Sequence, residues 1–339
     1  MTEKQFEPKN ILVIHFGQMG DVILALPALR AVREKFPEAR ITALVGKSSA
    51  MIARLAGVFD EELVVDRVEL RDGNKLRSID KIRRLVKDVR RRRFDFVIDL
   101  HSLSETNLLG FLSGANARLY ANRENRSLDF FAKFPEKPPP EDKSKHITDR
   151  YLEVLKPLGI DAAPRFVKIA PAAADVEAVE KMLAEETAAG APLAGLFPGA
   201  GHPSRRWKLE NFARLGERLR ARANPPRLVV FLGPEETDLR ETVERIFPPE
   251  TLIFDKLTIP QLVAACARLR VLVSNDTGVV HIGAIAGASL VLVMDERAPV
   301  TYLPLTEKIR VVRTATIDKI GVDEVLSAAE SFLDGAPSI

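Results

Sequence analysis

The sequence predicts an α/β fold built as two parallel-sheet halves in tandem. Three observations carry this. The chain has 339 residues, beyond the roughly 250–300 at which single cores tend to split into domains. Continuous apolar runs suited to strands buried on both faces alternate with segments of helical spacing, the mark of a parallel sheet with covered faces. The same outline then restarts near residue 192 with different residues.

In the first half, ILVIHF (11–16) reads as a buried strand, and Val22, Ile23, Leu26, Leu29 and Val32 then recur at helical spacing. ARITALVG, ELVVD and FDFVIDL read as the next three strands, with helices around 48–56 and 78–93. A polar, proline-rich stretch over 121–146 suits a long loop, and DAAPRFVKIAPAAADVEA suits a linker, which puts a hinge near 165–175. PLAGLFPGAG (192–201) opens the second half as a strand ending in a Gly/Pro turn, followed by a helix from about Leu209 to Ala221. RLVVFLG, RVLVSND and SLVLVMD are its further strands. These divisions give domains at 1–168 and 169–320, and a closing helix within 321–339 that is free to pack back on either half, the first included. Two such halves predict a cleft between the carboxyl ends of their strands, where ligands bind in open parallel sheets.

Composition narrows the class of partner. Fifty Lys and Arg against 47 Asp and Glu leave a net charge of +3, which argues neither for nucleic acid nor for an acidic ligand. The single cysteine, Cys266, has no intramolecular partner and reads as a small buried hydrophobe. The opening MTEKQFEPKN lacks the apolar core of a leader, and no apolar run reaches the ~20 residues of a bilayer span, so the expectation is a cytoplasmic chain. The basic run at 90–93 closes a helix, where positive charge favours the dipole's C-terminal end. It leaves open a peripheral attraction to an anionic membrane surface.

Function is expected in the loops after the strands. The first turn, FGQMGD, lacks a G-x-G-x-x-G fingerprint, and the second strand ends without an acidic residue for a ribose, so the first half is a poor dinucleotide site. In the second half RLVVFLG runs into Pro234, Glu235 and Glu236, which puts carboxylates where ribose hydroxyls are held. The alternative is that both glutamates merely open the next helix. VLVSNDTGVVHIGAIAGA runs from a strand through Asp276, Thr277 and Gly278 into an apolar helix whose free N–H groups suit a diphosphate. Gly278 permits close approach and His281 projects near the same end; an Asp/Thr helix cap with an incidental histidine is the plainer account. GLFPGAGHPSRRWKLENFARL sets Arg205, Arg206 and Lys208 around Trp207, one cation suited to a leaving diphosphate and the others to a solvated turn. The five histidines lack metal-ligand spacing and no G-x-S-x-G motif is present, so neither a metal site nor a serine nucleophile is expected. Asp21, beside Gly20 at the start of the first helix, reads either as a cap or as a chemical group.

Taken together and in order, GDVILALPALRAV, PGAGHPSRRWKLENFARL, LGPEE and SNDTGVVHIGAIAG resemble the bacterial heptosyltransferases of glycosyltransferase family 9. That resemblance runs from about residue 10 to 300 and implies the GT-B fold, two Rossmann-like domains around a cleft. It implies an inverting, metal-independent transfer of heptose from ADP-heptose to a lipid-linked lipopolysaccharide inner-core acceptor, with no cofactor. Asp21 is then the general base and Arg205 stabilises the leaving group. Gly20, Gly199, Glu236 (or Glu235), Asp276, Thr277, Gly278 and His281 contact the donor, while His101, Arg123 and His146 are acceptor candidates. Two departures stand out: Arg205 replaces a usual lysine, and HFGQ stands where small hydroxyl residues are usual. A helix N-terminus is also expected to lower the basicity of Asp21, which a nearby diphosphate would oppose. A transferase for another nucleotide sugar, a non-catalytic nucleotide-binding module and, most remotely, a nicotinamide oxidoreductase are the competing readings.

Overall fold

The computed structural model describes residues 6–67, 69, 75–124, 128–184 and 191–335, without the side chains of 75 and 76. The first five residues, positions 125–127 of the 121–146 loop and the last four residues lie outside that set. The chain divides into two compact units, Met1–Val167 and Lys168–Ile339.

The first unit is a five-stranded sheet in the order β3-β2-β1-β4-β5, from Glu61–Val65, Arg40–Gly46, Asn10–His15, Phe96–Asp99 and Ala117–Tyr120. All its pairings are parallel. The helices are α1 (Met19–Lys35), α2 (Ala50–Leu55), α3 (Lys75–Arg91), α4 (Ser104–Leu112) and α5 (Ile147–Glu153). β1 is central, and five of its six residues are buried, as expected for a strand covered on both faces. Helix α5 is tied to α1 by a buried hydrogen bond in which Thr148 Oγ1 donates to Leu24 O at 2.7 Å.

The second unit carries six parallel strands in the order β11-β10-β9-β6-β7-β8. These are β6 (Leu193–Phe197), β7 (Arg227–Phe231), β8 (Leu252–Phe254), β9 (Leu269–Asn275), β10 (Leu290–Asp295) and β11 (Ile309–Thr314). Helices α6 (Ala173–Ala184), α7 (Leu209–Arg220), α8 (Arg240–Ile246), α9 (Ile259–Arg268), α10 (Gly278–Ala286) and α11 (Val322–Leu333) cover it. The closing helix α11 packs within this unit: Val325, Leu326 and Ala329 join Trp207 and Phe212 in one core cluster. Trp207 Nε1 also donates to Ile320 O at 2.9 Å, just ahead of that helix.

Each sheet reverses its strand order once, between β1 and β4 in the first and between β6 and β9 in the second. The carboxyl ends at such a switch point splay their loops apart and leave a crevice for a ligand. Both candidate clusters lie there.

Candidate functional site

In the first unit, β1 ends at His15 and the chain turns through Phe16, Gly17 and Gln18 into α1. Asp21 is the third residue of that helix, and its Oδ2 accepts the Gln18 N–H at 2.9 Å, so the carboxylate does cap the helix. The turn is tight enough to require glycine. A Cβ on Gly17 would stand 2.5 Å from Asp21 Cβ and 2.6 Å from His15 Cε1. Gly17 N–H donates to His15 Nδ1 at 3.3 Å, which puts the ring proton on Nε2, a buried atom with no hydrogen-bond partner.

The His15 ring meets His101 and Tyr151 edge-on, with centroids 5.4 and 5.1 Å away. Burial, then His101 and Arg123, hold the His15 pKa well below the ordinary histidine value. Burial, with Arg123 and Arg67, takes His101 down to about 3. Both rings are therefore neutral near pH 7. The turn that presents His101 is built on Asp99, whose carboxylate accepts from the N–H groups of His101 (3.1 Å) and Ser102 (2.7 Å) and from Asn107 Nδ2 (2.8 Å). Desolvation nonetheless pushes Asp99 up to about 6.

Two guanidinium groups complete this cluster. Arg123 Nη1 donates to His101 O at 2.6 Å, and Arg123 and Arg150 share Glu141 at 3.3 and 3.2 Å. Both guanidinium groups also act electrostatically on Asp21. The Asp21 pKa is nevertheless raised, because burial outweighs the Gln18 N–H and the fields of Arg123 and Arg150. Burial thus acts in the same sense as the expected diphosphate and against the expected pull of the helix N-terminus. His146 caps α5, its Nδ1 accepting the Thr148 N–H at 3.2 Å.

The second cluster lies at the ends of β6, β7 and β9. Glu236 is turned inward and only 4% exposed, whereas Glu235 faces solvent. The Glu236 carboxylate accepts the Gly233 N–H at 3.2 Å and lies 3.8 Å from Arg206. Two bare glycines flank it, since a Cβ on Gly199 or Gly233 would come within 2.5 or 2.8 Å of its carboxyl group. Burial raises the Glu236 pKa against the pull of Arg206. The turn bearing Arg205, Arg206 and Trp207 is anchored by Asn275, whose Oδ1 accepts the Trp207 N–H at 3.0 Å and whose Nδ2 donates to Pro198 O and Gly199 O at 2.8 and 3.2 Å. Arg205 pairs with Asp276 at 3.5 Å, and Arg206 Nε donates to Ala200 O at 3.0 Å. Arg205 and Arg206 are thereby tied to neighbouring groups of the same unit.

Thr277 caps α10, its Oγ1 accepting the Val279 N–H at 3.0 Å, and His281 is buried one turn into that helix. Desolvation raises the Asp276 pKa while Arg205 opposes it. Arg205, Gly199, Glu236, Asp276, Thr277, Gly278 and His281 thus lie on the loops and in the first turn of α10 that follow the carboxyl ends of one sheet. Asp21, Gly20, His101 and Arg123 gather likewise on the other. His15 entered the sequence reading only through the HFGQ departure, and Arg150 and Asn275 were not singled out as parts of these clusters; for His15 the signal was a histidine inside the apolar run ILVIHF.

The profile of glycosyltransferase family 9 (heptosyltransferase) matches residues 82–325. The chain belongs to glycosyltransferase family 9. It is accordingly a glycosyltransferase, and the family match spans the whole second cluster together with His101 and Arg123. Among curated relatives, lipopolysaccharide heptosyltransferase 3 of Escherichia coli is 22% identical over 281 residues, covering 80% of this chain and 79% of that protein. Lipopolysaccharide heptosyltransferase 2 of Salmonella typhimurium is 23% identical, covering 91% and 88%. Among solved structures, a family 9 glycosyl transferase from Veillonella parvula superposes with a TM-score of 0.80 at 22% identity, covering 97% of this chain and 98% of that one. The E. coli heptosyltransferase WaaC with ADP gives 0.77 at 18% identity, covering 95% and 99%. The architecture is that of the GT-B family 9 enzymes, two Rossmann-like parallel-sheet units.

Proposed function

We propose that this family 9 enzyme moves heptose from ADP-heptose to a lipid-linked lipopolysaccharide inner-core acceptor, by a metal-independent displacement that inverts the anomeric centre. The observation that carries it is the half-buried Asp21 carboxylate at a switch point, beside the neutral His15 ring and with its pKa raised above the ordinary value. Asp21 takes the proton of an acceptor hydroxyl as that oxygen attacks the anomeric carbon. The bond from that carbon to the diphosphate breaks on the opposite face, and ADP leaves with the electron pair. Arg205 and the start of α10 receive the developing charge, with Glu236 as the ribose contact and Gly20, Gly199, Asp276, Gly278 and His281 lining the donor. His101, Arg123 and His146 serve the acceptor. Relatives named as lipopolysaccharide heptosyltransferases, and a structural neighbour solved with ADP, support the donor and acceptor classes. The setting proposed is cytoplasmic, peripheral to the membrane that carries the acceptor; among the described residues no helix is long and apolar enough to cross one.

The test is incubation with ADP-heptose and a heptose-deficient core glycolipid, with and without chelator. Expected are ADP release, a product heavier by one heptose, inverted anomeric configuration and indifference to the chelator. Transfer from a different nucleotide sugar would overturn the donor assignment, and tight ADP binding without release from any donor would overturn catalysis.

A further inference from the structure

Five large apolar side chains of the first unit stand exposed on three elements that cover one face of its sheet. They are Ile79 and Ile82 of α3, Leu108 and Phe111 of α4, and Phe130 of the turn at Asp129–Phe131, and each is 41 to 71% exposed. The inner sides of the same elements are packed normally. Val89 and Leu109, with the partly buried Leu85, Val86 and Phe131, belong to one core cluster with Leu12, Ile14 and Val97 of the sheet. Ile79, Ile82 and Leu108 lie outside that cluster. Phe111, Phe131 and Phe130 form a continuous aromatic row, with ring centroids 4.3 and 4.4 Å apart.

The charge of α3 is as uneven as this apolar surface. Between Lys75 and Arg93 the chain has ten basic and two acidic residues, a local +8 in a protein whose net charge is +3. Arg84 and Arg92 spend their charge on neighbouring carboxylates, but Arg83, Lys87, Arg90 and Arg91 are exposed and without a carboxylate partner among the described residues. On a helical projection Arg83, Lys87 and Arg90 border the Ile79 edge. Helix α3 runs between parallel strands β3 and β4, so its first turns, with Ile79 and Ile82, lie toward the carboxyl end of the sheet, the end that bears Asp21 and His101.

We propose that this face docks on an anionic phospholipid surface, with the isoleucines and aromatic rings entering the headgroup boundary and the unpaired Arg and Lys groups binding lipid phosphates. It deepens the reading of a lipid-borne acceptor, because the docked face then presents the catalytic end of the unit to the membrane. The positive charge selects lipid over a second copy of the chain, whose identical face would repel it.

The test is co-sedimentation of the full chain with vesicles of phosphatidylcholine alone or with about a third phosphatidylglycerol, which needs no donor or acceptor and so fails independently of the transfer reaction. Binding to the anionic vesicles is expected, weakening as salt rises. Arg83→Gln with Lys87→Gln is expected to weaken partition by more than tenfold, from about fivefold per basic side chain near the surface. Ile79→Ser with Ile82→Ser is expected to weaken it with the charge intact, and because both residues are exposed the thermal transition stays in place. Equal sedimentation with both vesicle types, unchanged partition in both variants, or a concentration-dependent dimer abolished by the same substitutions overturns the proposal.

Discussion

Gly199→Ala is a one-carbon perturbation whose effect is set by distances in the second unit. The added Cβ would stand 2.5 Å from both Cδ and Oε1 of Glu236 and 2.8 Å from Phe197 Cε1. Ordinary carbon contacts lie near ~3.5–4.0 Å, so the carboxyl group must retreat by about 1 Å. Gly199 does not have a positive φ, so the cost is contact and not backbone strain. A retreat of that size strips the 3.2 Å hydrogen bond from Gly233 N–H and re-aims the carboxylate that Arg206 faces at 3.8 Å. A hydrogen bond to a charged group is worth about 1.5–3 kcal/mol, which corresponds to roughly 10- to 150-fold in ADP affinity if Glu236 holds the ribose. Isothermal titration of ADP against the variant measures this, with Glu236→Gln alongside as the reference. The thermal transition reports separately on overpacking, for which about 1–3 kcal/mol is typical. ADP affinity within twofold of the parent in both variants would refute the donor role of this carboxylate.

Gly17→Ala is the corresponding change in the first unit, where the new Cβ would collide with Asp21 Cβ and His15 Cε1 at 2.5 and 2.6 Å. Turnover is expected to fall by at least 100-fold from misplacement of the base, while ADP affinity stays put; a matching loss in ADP titration would contradict that division of labour. Arg150→Met removes one of the cations that lower the Asp21 pKa, so the acid limb of the kcat/KM profile should move to higher pH. A limb that stays or moves down would count against Asp21 as the group that titrates. His101 has a folded pKa near 3, far below its unfolded value, so acidification protonates the unfolded chain first and stability falls as pH drops below ~6.5. His101→Gln lacks that proton uptake, and its stability relative to the parent should rise by about 2 kcal/mol from pH 7 to pH 5 in denaturant titrations of the first unit's transition. A constant difference would show that His101 titrates alike in the folded and unfolded chain and would contradict its depressed pKa.

The sequence was most legible where burial was complete. β1, β9 and β10 each hold a run of three to five apolar residues and are almost wholly buried, so their composition alone marks them. β5 (ARLY), β8 (LIF) and β11 (IRVVRT) were passed over: each is short or half exposed at a sheet edge, and pairing with a neighbour decides it more than its own pattern. Helix α5 is fixed from a distance, by Thr148 on Leu24 O, which no local spacing reports. The candidate residues show the same division. Asp276, Thr277 and Gly278 announce themselves as a strand-to-helix turn, and the structure forms that turn. That Glu236 and not Glu235 turns inward depends on which of two adjacent carboxylates meets the bare backbone of Gly199 and Gly233, and the register of a loop is not written in composition. The raised pKa of Asp21 was hidden for the same reason, because it depends on burial set by the fold and on Arg123 and Arg150, which lie far along the chain.

The central claim is that Asp21 performs the proton transfer and does not merely cap α1. Asp21→Asn keeps the size of the side chain and an oxygen able to accept the Gln18 N–H, so fold and capping should persist. Initial rates of ADP release from ADP-heptose in the presence of acceptor, with ADP affinity of the same preparation as control, separate the two roles. The account predicts turnover lower by about 100- to 10,000-fold, the range for loss of a general base, with ADP affinity unchanged. Near-normal turnover in Asp21→Asn would contradict it.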